Sequence, residues 1–161
     1  MSETNPANYP MSWHRFLCRF LLWASALTRL LQSAWACLGG TYQGSATQAA
    51  VYAALPALQY VDYAWIACML VSATLTVLAA ICLGKVCKRG LTFLMWGWLL
   101  AAGGTLLRML LRCAISGLLP LNVSEITQVL LHILLSVVCA VYYRRRPGLF
   151  DDAQEASAYE K

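Results

Sequence analysis

Acidic residues are scarce: seven Asp and Glu stand against 12 Lys and Arg, with two His, in 161 residues. Only Asp62 and Glu125 fall within the apolar part of the chain. Metal-assisted phosphoryl or headgroup transfer draws on several clustered carboxylates, so that chemistry is not expected. The seven cysteines (Cys18, Cys37, Cys68, Cys82, Cys87, Cys113 and Cys139) form no CxxC and no paired-His spacing. This excludes the familiar metal-ligand and vicinal-dithiol motifs. Ser25, Ser72, Ser116 and Ser136 lack a Gly-x-Ser-x-Gly context, and His14 falls at the opposite membrane face from most of them. The inventory points to no enzyme, no metal and no cofactor. Lys and Arg are also missing from two whole stretches, Gly39 to Ala57 and Ala114 to Ser124.

What the chain has is apolar length. Apolar residues make up 60% of it and charged residues 12%. Four runs, Phe16 to Leu38, Leu58 to Leu83, Leu91 to Cys113 and Ile126 to Tyr143, each approach the about 20 residues needed to cross a bilayer as a helix. The spacing predicts an all-α bundle of four transmembrane helices. Basic residues gather at Arg15 and Arg19, at Lys85, Lys88 and Arg89, and at Arg144, Arg145 and Arg146. With the other loops free of Lys and Arg, the positive-inside rule puts both termini in the cytoplasm. Trp13, Tyr142 and Tyr143 then mark the inner boundary, and Trp35, Tyr60 and Tyr63 the outer one. The net charge of +5 is placed by topology and forms no continuous patch with interleaved aromatics, so no nucleic-acid partner is expected.

Residues 1–12, with two prolines, read as a disordered cytoplasmic lead, and residues 147–161 as a disordered acidic tail in which Leu149 and Phe150 touch the interface. Ala34, Trp35 and Ala36 make a small-x-small pattern ahead of Cys37, as at a signal cleavage site. Arg29 within the apolar region, and Ala34 where a lipoprotein signal favours Leu, argue that the first span is retained. The outer loop beginning Gly39-Gly40 reads as a flexible turn, followed by a short interfacial helix over Ala49 to Leu55; Pro56 suits the first turn of the second span. Gly84 and Gly90 bracket a tight inner hairpin. Asn122 or Ser124 is expected to cap the fourth helix, with Glu125 at the positive end of its dipole. The Asn122-Val123-Ser124 sequon lies too near the membrane for modification. Cys37 and Cys113 fall at the same level, so a disulfide is geometrically conceivable, whereas Cys in apolar surroundings ordinarily behaves as a small hydrophobe.

Polar residues recur at helical steps inside the spans. Glu125, Gln128, His132, Ser136, Cys139 and Tyr143 share one face of the fourth helix. Arg15, Arg19, Leu22, Ala26, Arg29 and Ser33 form a stripe on the first, and Gly97, Ala101, Gly104 and Arg108 on the third, where the small residues mark a close-packing seam. By depth, Arg29, Arg108, Arg112, Asp62, Glu125, Gln128 and His132 converge in the outer half of the bundle. Unpaired charge at mid-bilayer costs about 2.5–3.5 kcal/mol or more, so these groups pair, snorkel or line water. One reading makes them a structural network in which Arg29 and Arg108 pair with Glu125 and Asp62. The other notes that three arginines exceed two carboxylates, leaving Arg29, Arg108, Arg112 and His132 as a site for a small anion or a lipid phosphate.

Trp13, Arg15, Phe16 and Leu17, the following Phe20 and Leu22 to Leu27, then Tyr52, Pro56, Leu58, Gln59 and Asp62, and the closing Tyr142 to Arg146 with Phe150, resemble a group of small four-helix integral membrane proteins of unknown function from anaerobic gut bacteria. The resemblance spans most of the chain and implies a bacterial inner membrane; it carries no activity with it. The expected function is that of a non-enzymatic packing, assembly or accessory module whose partners are the bilayer and either further copies or another membrane protein. The alternative is a carrier or sensor for a small anion or anionic headgroup.

Overall fold

The computed structural model describes residues 12–117, 123–145 and 150. The expectations for the lead, the Asn122 cap and sequon, and the acidic tail beyond Phe150 lie outside these. Among the described residues there is no strand, and three helices are long and apolar enough to cross a membrane: α4 (Pro56–Gly84), α5 (Arg89–Ser116) and α6 (Val123–Arg144). Pro56 opens α4 at a position where its missing N–H costs nothing. The first apolar run is a different object. It is divided into α1 (Ser12–Phe16), a π turn (Leu17–Leu21) and α2 (Leu22–Cys37). A 3₁₀ turn (Gly40–Tyr42) and α3 (Ser45–Ala54) then lead to α4. α3 begins four residues earlier than the expected Ala49.

The π turn corrects the first stripe. A π turn holds about one residue more than an α turn, which rotates everything upstream by about 100°. The buried line therefore runs His14, Cys18, Leu22, Ala26, Arg29, Ser33 and Ala36, while Arg15 and Arg19 are exposed. The expected Arg15 and Arg19 positions assumed an uninterrupted helix.

α2 packs on α4, α4 on α5 and α5 on α6; α2 and α6, the two ends of that series, share no extended contact. The α4–α5 hairpin is the tightest joint, and it is built on glycine. A Cβ at Gly90 would lie 2.7 Å from the Leu83 backbone nitrogen, and one at Gly97 would lie 3.2 Å from Thr76 Oγ1. Ser72 Oγ donates to the Gly97 carbonyl across the same joint. Gly104 faces Cys68, and Ala101 is buried, so the expected small-residue seam faces α4. The hairpin turn itself places Val86 in the left-handed region (φ 54°).

Two cores result. At the basic end, Leu17, Cys18, Leu22, Leu83, Leu94, Trp98, Cys139 and Tyr143 pack together, joined by Phe150. His14 Nδ1 lies 2.8 Å from the Tyr143 hydroxyl, tying α1 to the last turn of α6. Phe150, expected at the interface, is buried with its ring 5.6 Å from that of Tyr143. At the far end a smaller core holds Ala36, Trp65, Met69 and Ala101. The outward faces are lined by exposed Leu, Val and Trp, among them Leu27, Leu31, Trp96, Leu107, Leu110 and Leu134. An exterior so continuously apolar suits lipid and not water.

Candidate functional site

The seven charged and polar residues singled out above do not form one cluster. Five elements bring four of them together at the far end. Asp62, in the second turn of α4, is 2% exposed and faces four donors. Its Oδ1 takes Arg108 Nε at 2.8 Å and lies 3.7 Å from Arg112 Nε. Its Oδ2 takes the Tyr42 hydroxyl at 2.6 Å and the Tyr52 hydroxyl at 3.1 Å. Arg108, itself 3% exposed, also donates from Nη1 to Glu125 Oε1 at 3.3 Å, with Nη2 3.5 Å from Thr41 Oγ1. Its guanidinium carbon stands 4.0 Å over the Trp65 ring, and that of Arg112 4.9 Å over the Tyr42 ring.

Two arginines thus face two carboxylates, and formal charge cancels. Each cation also has an aromatic face, which suits a guanidinium drawn out of water. Glu125 sits in the first turn of α6, where the helix dipole favours an anion. The loop helps to close the site: Gln48 Nε2 donates to Tyr52 Oη at 2.9 Å and to the Ala36 carbonyl at 3.2 Å. Burial, with Asp62 alongside, pushes the Tyr42 phenol above its ordinary value and the Tyr52 phenol up to about 12. Both therefore stand as neutral donors to Asp62 at physiological pH.

Arg29 lies elsewhere. It is 1% exposed, and its Nη1 donates to Thr76 Oγ1 and to the Ser72 carbonyl at 3.3 Å. Thr76 is about 21 Å of helix along α4 from Asp62, and Ser72 is within about 3 Å of the helix midpoint. Among the described residues no carboxylate lies within ion-pair reach of Arg29. Its Nε and Nη2 are buried and have no hydrogen-bond partner. His132, half-buried on α6, is near enough for the Arg29 charge to act on it. His132 Nδ1 lies 2.7 Å from the Gln128 carbonyl. A carbonyl can only accept, so Nδ1 carries the proton and Nε2 of the neutral ring is left with its lone pair. The pairing of Arg29 with Glu125 or Asp62 expected from depth is replaced by this hydroxyl and carbonyl cradle. Arg108 takes both carboxylates.

Sequence reasoning passed over Tyr42, Tyr52, Trp65, Ser72 and Thr76. The signal for the last three was present: Asp62, Trp65, Met69, Ser72, Thr76 and Ala79 run at steps of three and four, one face of α4. Nothing local marks Tyr42 or Tyr52, whose role depends on how the loop folds back over α4.

Among the described residues no group of His, Cys, Asp or Glu is placed to hold a metal ion. Cys37 and Cys113 are separate free thiols. A cleft of about 330 Å³ at the basic end is lined by Lys88, Leu91, Met95, Ala140, Tyr143, Arg144 and Phe150. No family model, characterised protein or solved structure matches the chain.

Proposed function

We propose that the chain is a non-enzymatic, multi-pass module of a bacterial inner membrane, with four crossings and both termini in the cytoplasm, serving in packing or assembly. The first crossing is the helical run Ser12 to Cys37, which a π turn interrupts without ending. At about 1.5 Å per residue it has the length to span. The observation that carries the reading is the far-end network. Arg108, Arg112, Asp62 and Glu125 occupy one another, leaving neither an open acid nor an open base facing the far side. Such a network locks α4, α5, α6 and the tyrosine loop into one register, which is what an assembly module needs.

Native mass spectrometry in mild detergent, joined to labelling of Cys37 and Cys87 with a membrane-impermeant maleimide, tests this. Both thiols are exposed. A homo-oligomer or a co-purifying membrane protein, with Cys87 labelled only from the cytoplasm and Cys37 only from outside, is the expected result. A monomer without partners would remove the assembly role, and labelling of both thiols from one side would remove the topology.

The second reading, a carrier or sensor for a small anion, keeps one specific support. Of its four residues, Arg29 retains buried, unused guanidinium donors.

A further inference from the structure

The unused atoms of Arg29 are not an arbitrary pair. Nε and Nη2 lie along the side edge of the guanidinium, where two parallel N–H bonds match the two oxygens of a carboxylate. Because the group is planar and trigonal, this edge lies opposite Nη1, which is anchored on Thr76 of α4. It therefore points away from α4. Across the bundle, α6 presents the half-buried Gln128, His132 and Ser136, and α2 and α6 share no extended packing. Elsewhere in the same protein Arg108 meets a carboxylate through its Nε, at 2.8 Å. The cation, the anchoring and the fork are all in place at Arg29; among the described residues no carboxylate meets it.

We propose that Arg29 binds a monocarboxylate side-on through Nε and Nη2 at the centre of the bundle. The inference deepens the second reading above and narrows its site to one arginine. Depth selects the class of ligand. Ser72 lies about 3 Å and Thr76 about 9 Å from the midpoint of α4, inside a hydrocarbon core that reaches about 15 Å to either side of that midpoint, so a phospholipid phosphate would have to leave the interface to meet this edge. A carboxylate carried by a small solute or by a fatty acid can arrive there. Arg108 and Arg112 take no part, since Asp62 and Glu125 already occupy them.

The test uses the full chain in neutral detergent, with formate, butyrate or dodecanoate replacing chloride at constant ionic strength, and inorganic phosphate as the contrasting anion. The expected result is a saturable rise in Tm of about 5–10 °C near a hundredfold excess over Kd, seen with a carboxylate and not with phosphate. Response to formate or butyrate identifies a solute site, and response to dodecanoate alone a fatty-acid site. Arg29→Lys keeps the charge but loses the fork and should abolish the rise, whereas Glu125→Gln at the far end should retain it. No saturable shift in wild type, a shift that survives Arg29→Lys, one that Glu125→Gln abolishes, or an equal response to phosphate would each overturn the proposal. If Arg29→Lys does not fold, arginine labelled with ¹⁵N at Nε decides on the wild type alone. The solvent-protected Nε–H should move downfield on adding the carboxylate, and a resonance that stays put refutes the site. A chain that leaves the membrane without detergent would instead sink the membrane reading itself.

Discussion

Asp62→Asn should be the most damaging nearly isosteric change in the protein. The side chain keeps its shape, so the loss comes from charge and donor direction. Asp62 Oδ1 faces two guanidinium groups and Oδ2 two phenols. With the amide nitrogen turned to the tyrosines, both phenols must reverse as acceptors, and Arg108 and Arg112 are left to Glu125 alone, 3.3 Å from Arg108 Nη1. Removing one partner of a buried ion pair costs about 3–5 kcal/mol, because the surviving charge stays desolvated. Glu125 and the Trp65 face at 4.0 Å soften that here, so the lower figure, about 3 kcal/mol, is expected. For a chain of this size it corresponds to a fall in Tm of about 6–12 °C. With the thiols that are accessible in the folded protein, Cys37 and Cys87 among them, blocked beforehand, a thiol-reactive fluorophore provides the assay, since Cys18 and Cys139 are buried and react on unfolding. Arg108→Met completes a double-mutant cycle, in which the pair together should lose at least about 1 kcal/mol less than the two single losses summed. A Tm within about 2 °C of wild type, or strictly additive losses, would refute the view that this network holds the far end together.

Other perturbations separate the joints. Gly90→Ala must displace the Leu83 backbone and should destabilise by about 1–3 kcal/mol, whereas Gly103→Ala, whose Cβ meets nothing within 4 Å, should be neutral or slightly stabilising; equal Tm values for the two would contradict the close α4–α5 approach. Tyr143→Phe removes the 2.8 Å contact to His14 and should cost about 0.5–1.5 kcal/mol, read as earlier dye labelling of Cys18 and Cys139 on heating; an unchanged onset would mean α1 is held by packing alone. Alkaline titration reads the tyrosine loop. Tyr52, raised from 10.0 to about 12, holds its proton more tightly folded than unfolded, so its contribution is full below pH 10 and is lost as pH rises through 12. Tyr52→Phe should flatten that loss, and a wild-type Tm already falling steeply below pH 9 would be inconsistent with it.

The three long helices were legible because each carries a long, predominantly apolar run with few charges between turn residues. Expected spans over 58–83, 91–113 and 126–143 compare with Pro56–Gly84, Arg89–Ser116 and Val123–Arg144. The first run was legible in extent but not in phase. A π turn leaves no compositional mark: Leu17 to Leu21 reads as ordinary helix, and only the neighbours show that His14 and Cys18, not Arg15 and Arg19, face inward. Membership of the charged site was half legible for a similar reason. Helical period put Arg108 and Glu125 on inward stripes and depth added Asp62 and Arg112, but neither says how far a long side chain reaches along the helix axis. Depth counted from helix ends put Arg29 with the others, whereas its guanidinium turns to Thr76 near mid-bundle. Tyr42 and Tyr52 belong to a loop whose path is set by tertiary contacts, so no periodicity exposes them.

The partition of charge bears on why a membrane protein would retain Arg29 at all. At the far end, each cation is matched by an anion, an aromatic face or a tyrosine donor, and the arrangement is complete without any ligand. If Arg29 served packing alone, a Gln or Met there would fill the same volume without the cost of a buried charge, and replacement of buried ionic groups by apolar ones is often neutral or stabilising. Thr76 and Ser72 satisfy only one of its three nitrogens. A guanidinium held by one end, with its carboxylate-matching edge free and nearly fully buried, is poorly suited to rigid scaffolding and well suited to receiving an anion. Arg29→Met therefore discriminates between the roles through stability alone: if the residue is structural the variant should fall in Tm, and if it is kept for a ligand the ligand-free variant should be at least as stable as wild type.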